Sequence, residues 1–188
     1  MSIEAIHDTL ERLCNLLRVE AREAGAAEGL LPIQLEALHY LAQCNRYSDT
    51  LQGVSDFLGQ TKGTVSKTLG VLESRQLIER HSDTEDRRVV HLKVTRAARR
   101  VLAKAIPARF LVQSLADAGT SRIDEITGLL REVLLDAQRA RGSKSFGACR
   151  TCRFNQVKNA GHRCGLTGEA LSHTDIGLIC REHEYPAA

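Results

Sequence analysis

Between Thr50 and Thr95 the chain changes its period twice, and no other stretch limits its possible folds so strongly. Thr50 is placed to cap a short helix carrying Leu51, Val54, Phe57 and Leu58, and Gly59 stops it. Thr61 caps a second helix running to about Arg75, with Val65, Leu69 and Leu72 on one face. The spacing then shifts. Residues 77–80 and 89–94 are short and β-branched, and read as two strands joined by a polar turn over 82–88.

Two short helices around a tight turn, followed by a hairpin, is the element order of a winged helix-turn-helix. The flanks are helical. Ser2 precedes Ile3, Ile6, Leu10, Leu13, Leu16 and Leu17 at helical spacing, and the stretch 25–29 breaks that helix. Pro32 opens another with Ile33, Leu35, Leu38 and Leu41, followed by a turn over 45–49. Thr95 begins a helix interrupted at Pro107 and ending near Gly119, and Ser121 opens a last one carrying Ile123, Ile126, Leu129, Leu130, Val133 and Leu134. Residues 142–147 read as a linker, and from Cys149 the texture is short, Cys-rich and without period. The fold class expected is mainly α with a small β-hairpin wing. Residues 1–142 form the winged-helix unit (winged helix about 32–95, flanking helices about 2–24 and 96–141), and 143–188 a small four-cysteine metal module. Hydrophobic residues at 43% suffice for a core, whereas 4% aromatics and no Trp argue against stacking platforms for single-stranded nucleic acid. The first residues lack a basic flank and an apolar run, and no stretch approaches a membrane span, so a cytoplasmic chain is expected. In that compartment six cysteines favour metal or redox chemistry over disulfides.

The net charge of +3 hides a gradient: residues 1–59 hold four Arg against nine acids, and residues 60–100 hold ten Lys or Arg against five. A compact basic segment is the footprint of contact with a polyanion. Inside it lies the second helix of the helix-turn-helix, the one that enters a major groove in such motifs. Thr61, Lys62, Thr64, Ser66 and Lys67 sit near its start, and a helix N-terminus also favours phosphate. With Arg75, and with Asp86, Arg87 and Arg88 in the turn between the strands, these are the candidate DNA contacts.

The stretch 50–95, with Asp86-x-Arg88 in the hairpin turn and Leu92-x-Val94-Thr95 at its exit, resembles the MarR family of transcriptional regulators; the helices over 3–44 and 96–141 follow that family's order. The resemblance implies a homodimer built by the first and last helices, a palindromic double-stranded operator, and one recognition helix per half-site. Arg88 would reach the minor groove, with Asp86 orienting it through an ion pair; an Arg in a narrow minor groove reads shape and potential. Two departures stand out. Gln76 lies where a Gly often closes the recognition helix, and Ala97 and Ala98 occupy the stretch where a Gly often follows the wing.

The tail reads Cys149-Arg-Thr-Cys152, then Cys164, then Cys180. A C-x-x-C puts two thiolates on one turn, and two more complete a four-sulfur set suited to an iron–sulfur cluster or Zn2+. One knuckle with two lone cysteines departs from the paired knuckles of zinc ribbons, so a cluster is preferred and structural zinc is the alternative. Arg150, Arg153, Arg163 and Arg181 would offset the charge of four thiolates; Phe154, Leu166, Leu178 and Ile179 would shield the centre. A segment this small seldom folds without a metal or cross-link. His162, His173 and His183 are expected at the surface, and Cys14 and Cys44 as small buried hydrophobes. No phosphate-binding Gly loop, paired-carboxylate motif or HExxH appears, so no enzyme is expected. Three functions remain in play: a repressor whose cluster senses redox, oxygen or iron status; a regulator with a zinc tail and a small-molecule effector; and a tail that docks a protein partner. If the tail packs on the last helix, it could alter the spacing of the two recognition helices.

Overall fold

A computed structural model describes residues 2–158 and 161–186. Helix α1 (Ile3–Ala27) starts where Ser2 accepts a hydrogen bond from the Ala5 amide. It runs past the expected break, because Gly25 lets the Leu30 carbonyl pass where a Cβ would lie 2.9 Å from the oxygen; the helix ends beyond it, with Gly29 at φ 65°. Helix α2 (Pro32–Gln43) begins on its proline. Helices α3 (Leu51–Leu58) and α4 (Lys62–Ser74) are capped by Thr50 and Thr61 as expected, and Gly59 takes the left-handed conformation between them.

Strands β1 (Ile78–Ser82) and β2 (Val90–Val94) form the antiparallel wing, with Ile78 opposite Val94 and Ser82 opposite Val90. Helices α5 (Arg96–Ala105) and α6 (Arg109–Ser114) flank the interruption at Pro107. Helix α7 (Thr120–Arg141) opens one residue before Ser121, with Gly119 at its N-cap. The core is Leu35, Leu38, Tyr40, Val54, Val65, Leu69, Leu72, Ile78, Leu92 and Ala98 with their neighbours, gathered from α2, α3, α4, the wing and α5. The fold is thus mostly helical with one wing, as the sequence implies.

The tail has its own order. A short 3-10 turn (Cys149–Thr151) leads into a three-stranded antiparallel sheet of β3 (Asn155–Lys158), β4 (Gly161–Cys164) and β5 (Ala170–Leu171), then the one-turn helix α8 (His173–Gly177). Residues 142–147 are no loose linker. Phe146 packs its ring edge-on to Tyr40 and Phe57, at centroid distances of 6.0 and 5.2 Å. Nor does the tail lie chiefly along α7. It docks on the α2–α3 turn, where the Asn45 amide donates to the Ile179 carbonyl (2.8 Å) and the Ile179 amide to the Gln43 carbonyl (2.9 Å). Among the described residues, no helix is long and apolar enough to cross a membrane.

Candidate functional site

Two groups of residues stand out, one on the winged helix and one in the tail. On α4 the burial follows the helical period. Val65, Thr68, Leu69 and Leu72 face the core, and Thr61, Lys62, Thr64, Ser66 and Lys67 are exposed. Thr61 accepts from the Thr64 amide at 3.2 Å, so its hydroxyl is a cap as well as a surface group. At the wing tip Asp86 grips Arg88 with both carboxylate oxygens, at 2.9 Å each from Nε and a terminal nitrogen, and also accepts the Arg88 amide. The Arg88 side chain is 91% exposed, and Arg87 is exposed beside it. The pair holds the Asp86 carboxyl below the usual range. A fork-to-fork pair fixes the guanidinium plane while its outer edge stays free to meet an anion.

Arg75 is engaged elsewhere. Its guanidinium donates to the carbonyls of Glu28 and Gly29, closing the C-terminus of α1 from the end of α4. Of the residues grouped as DNA contacts, it is the one already bonded to its own chain's backbone at another site.

Behind the wing lies a network that the sequence does not signal. Asp49, its side chain 3% exposed, binds His91 Nδ1 at 2.6 Å and Lys93 Nζ at 2.5 Å, and its carbonyl accepts the Leu92 amide. His91 Nε2 lies 3.0 Å from Asp83, which in turn accepts the amides of Glu85 and Asp86. Those amides and His91 hold the Asp83 carboxyl down at about 2, while the flanking carboxylates, Asp49 first, raise the His91 pKa.

In the tail, Cys149 and Cys152 sit at the two ends of the 3-10 turn, Cys164 ends β4 and Cys180 follows α8. All four line one cavity of about 30 Å³. Its walls include Phe154 and Leu166, as expected, with Leu171 and, from the winged helix, Asn45 and Tyr47. Ile179 instead packs on the winged-helix core. Burial pushes the Cys149 thiol up to about 11, reinforced by Cys180, Cys152 and Cys164 around it. Burial also raises the Cys180 thiol, with the polar groups of Asn45, Glu182 and Ser48 nearby working the other way. The Glu184 amide points at Cys152 Sγ from 3.5 Å. Four thiols around one cavity, with a backbone N–H turned toward the Cys152 sulfur, suit a thiolate-bound metal, whose ligands are tuned by such bonds. Among the described residues no three His, Cys, Asp or Glu side chains are already drawn together as an ion-holding group.

Three other expectations need correction. His183 is buried at 3% exposure, with Nδ1 2.6 Å from Ser145 Oγ and Nε2 3.0 Å from Thr151 Oγ1; both nitrogens are engaged inside the tail. Cys14 is exposed, since most of α1 has nothing in its own chain to cover it, while Cys44 is buried as expected. Arg153 and Arg181 pair with carboxylates, Glu184 and Asp56, so they are not free counter-charges for sulfur.

Residues 28–89 match the sequence model of the MarR family. No curated protein matches the chain. Among solved structures, a transcriptional regulator from Thermotoga maritima is 25% identical, with 75% of this chain and 99% of that one covered at a TM-score of 0.54. A MarR family protein from Bacillus stearothermophilus is 19% identical over 72% of this chain and 95% of its own, TM-score 0.60. The MepR–DNA complex from S. aureus is 17% identical, covering 73% and 97%, TM-score 0.54. The similarity therefore takes in the winged helix and its helical flanks, and about a quarter of this chain lies beyond it.

Proposed function

We propose that this chain, a winged helix-turn-helix with a MarR-family match across its centre, is a homodimeric DNA-binding transcription regulator whose tail holds a metal centre. The observation that carries the DNA reading is the exposed Arg88 clamped by Asp86 at the tip of the wing. The α4 surface offers hydroxyls and lysines suited to a major groove, and the wing an arginine suited to the minor groove. DNA is the partner named for the S. aureus MepR structure. α1 and α7 leave Ile3, Ile6, Leu16, Leu129, Leu130 and Leu134 exposed, a surface that a second copy would cover. Repression is the sign expected from the family resemblance.

The test begins with duplexes selected from a random pool. Arg88→Ala is expected to weaken binding to the selected duplex and to lower the slope of log K against log salt by about one unit, one cation's worth. Unchanged affinity and slope would sink the wing assignment.

For the tail, the reading is a thiolate centre on Cys149, Cys152, Cys164 and Cys180, with an iron–sulfur cluster reporting redox, oxygen or iron status. The second reading is a single Zn2+, which four thiolates bind tetrahedrally with no added sulfide. An absorption spectrum with metal analysis on anaerobically purified protein separates the two. A band near 400 nm with iron and sulfide supports the cluster; a colourless protein with one zinc per chain supports the staple. With zinc, sensing would pass to a small molecule, for which the cleft lined by Val19, Lys104, Arg109 and Phe110 is a candidate.

A further inference from the structure

We propose that the cysteine centre controls DNA binding through the α2–α3 turn of its own chain, with Arg181 as the positioning residue, and not by altering the spacing of the dimer helices. The inference rests on the reading of the tail as a metal centre and of the wing as a DNA contact.

The six residues from Cys44 to Asp49 are gripped from two sides. On one side is the tail. Ile179 bridges to the backbone around Cys44, and Asn45 and Tyr47 form part of the wall around the four cysteines. Arg181, the residue after Cys180, donates its amide to Ser48 Oγ at 2.8 Å and its Nε to Asp56 on α3 at 2.6 Å. Arg46 reaches back to Glu169 and to the Ala170 carbonyl, at 3.0 Å each. On the other side is the wing. Ser48 is fully buried and donates to Asn45, and the next residue, Asp49, holds His91 and Lys93 of β2. His91 leads to Asp83, Asp83 to the amide of Asp86, and Asp86 to Arg88.

Consecutive contacts thus connect the fourth cysteine to the arginine at the wing tip. Ser48 and Asp49 are the joint, one facing the tail and the other the wing. The same joint seats α3: a Cβ on Gly53 would stand 2.1 Å from the Ser48 carbonyl, so the turn and the first helix of the motif pack with no slack. A change of ligation at Cys180 moves the backbone of Arg181, and Arg181 holds both Ser48 and α3. On this proposal the tail, docked as seen here, is released when the metal is lost, and such a two-state element is what coupling through a network needs.

The experiment uses the full chain, a selected duplex, fixed salt, and metal removed by chelation without oxygen. In the natural sequence, stripping is expected to change the Kd by tenfold or more and to raise amide exchange at Asn45, Ile179 and Leu92. Arg181→Gln removes the bond to Asp56, and Ser48→Ala removes the acceptor of the Arg181 amide; combined, they should keep metal at the natural stoichiometry, bind DNA with the affinity of the stripped protein, and respond to stripping by less than twofold. A full response in the metal-loaded double variant overturns the route while leaving the regulator reading intact. No bound metal, or no duplex selected, overturns the functional reading itself. If the double variant does not fold, Asp56→Asn in place of Arg181→Gln removes the other end of the ion pair and is read the same way.

Discussion

Gln76 sits at φ 56°, where a side chain is strained. It closes α4 in a Schellman turn: the Gln76 amide donates to the Glu73 carbonyl and the Leu77 amide to that of Leu72. The departure from glycine noted in the sequence therefore did not change the turn; glutamine was forced into it. Gln76→Gly is expected to raise stability by roughly 1 kcal/mol, the lower end of the cost of a left-handed non-glycine residue. Thermal unfolding checks this, and a lower Tm would contradict it. His91 offers a pH test. Asp49 and Asp83 face it and raise its pKa above the unfolded value, Lys93 opposes them, and the imidazolium form is the favoured one. Its contribution is present in full below about pH 6.5 and disappears as pH rises through the higher folded value. Wing amides should lose protection relative to the unfolded chain, and DNA should bind more weakly, as pH climbs past that value, and His91→Asn should flatten both profiles. A pH response unaltered by that substitution would rule out His91 as its origin.

At the scale of elements, the helices and wing of the motif were legible because each carries its own local signals. Thr50, Gly59 and Thr61 punctuate α3 and α4, and the β-branched run marks β2. The outward face of α4 follows from helical period alone. The docking of the tail left no such trace, because its contacts join residues more than a hundred positions apart: Arg181 with Ser48, Arg46 with Glu169. The same reason hid Asp49, which reads as an ordinary turn acid, and Arg75, whose partners lie at the end of α1. Residues 142–147 look like a linker by composition, yet Phe146, held at φ 45°, sets its ring against Tyr40 and Phe57. Phe146→Ala is expected to cost about 2 kcal/mol, below the range for a fully buried Phe. It should also release the tail selectively, with proteases cutting 143–186 first. Equal protection of the tail in variant and natural protein would contradict its role as the anchor.

Over the whole molecule, apolar surface and charge are divided among three faces. α1 and α7 leave large apolar side chains uncovered, which suits a second copy. The basic stretch over 60–100 carries α4 and the wing. The cysteine cavity lies where the tail meets the α2–α3 turn, with residues of both in its wall. A dimer must present its two recognition helices about one DNA turn apart, ~34 Å. On the proposed reading, the contacts of the tail with α3 let a metal centre act inside each half-site reader, without changing that spacing. The measurement that tests this most directly is the affinity of the full-length protein for a selected duplex at fixed salt, before and after the metal is stripped without oxygen. A change of tenfold or more is expected, with the protein dimeric in both states. Equal affinity of the loaded and stripped forms would contradict it.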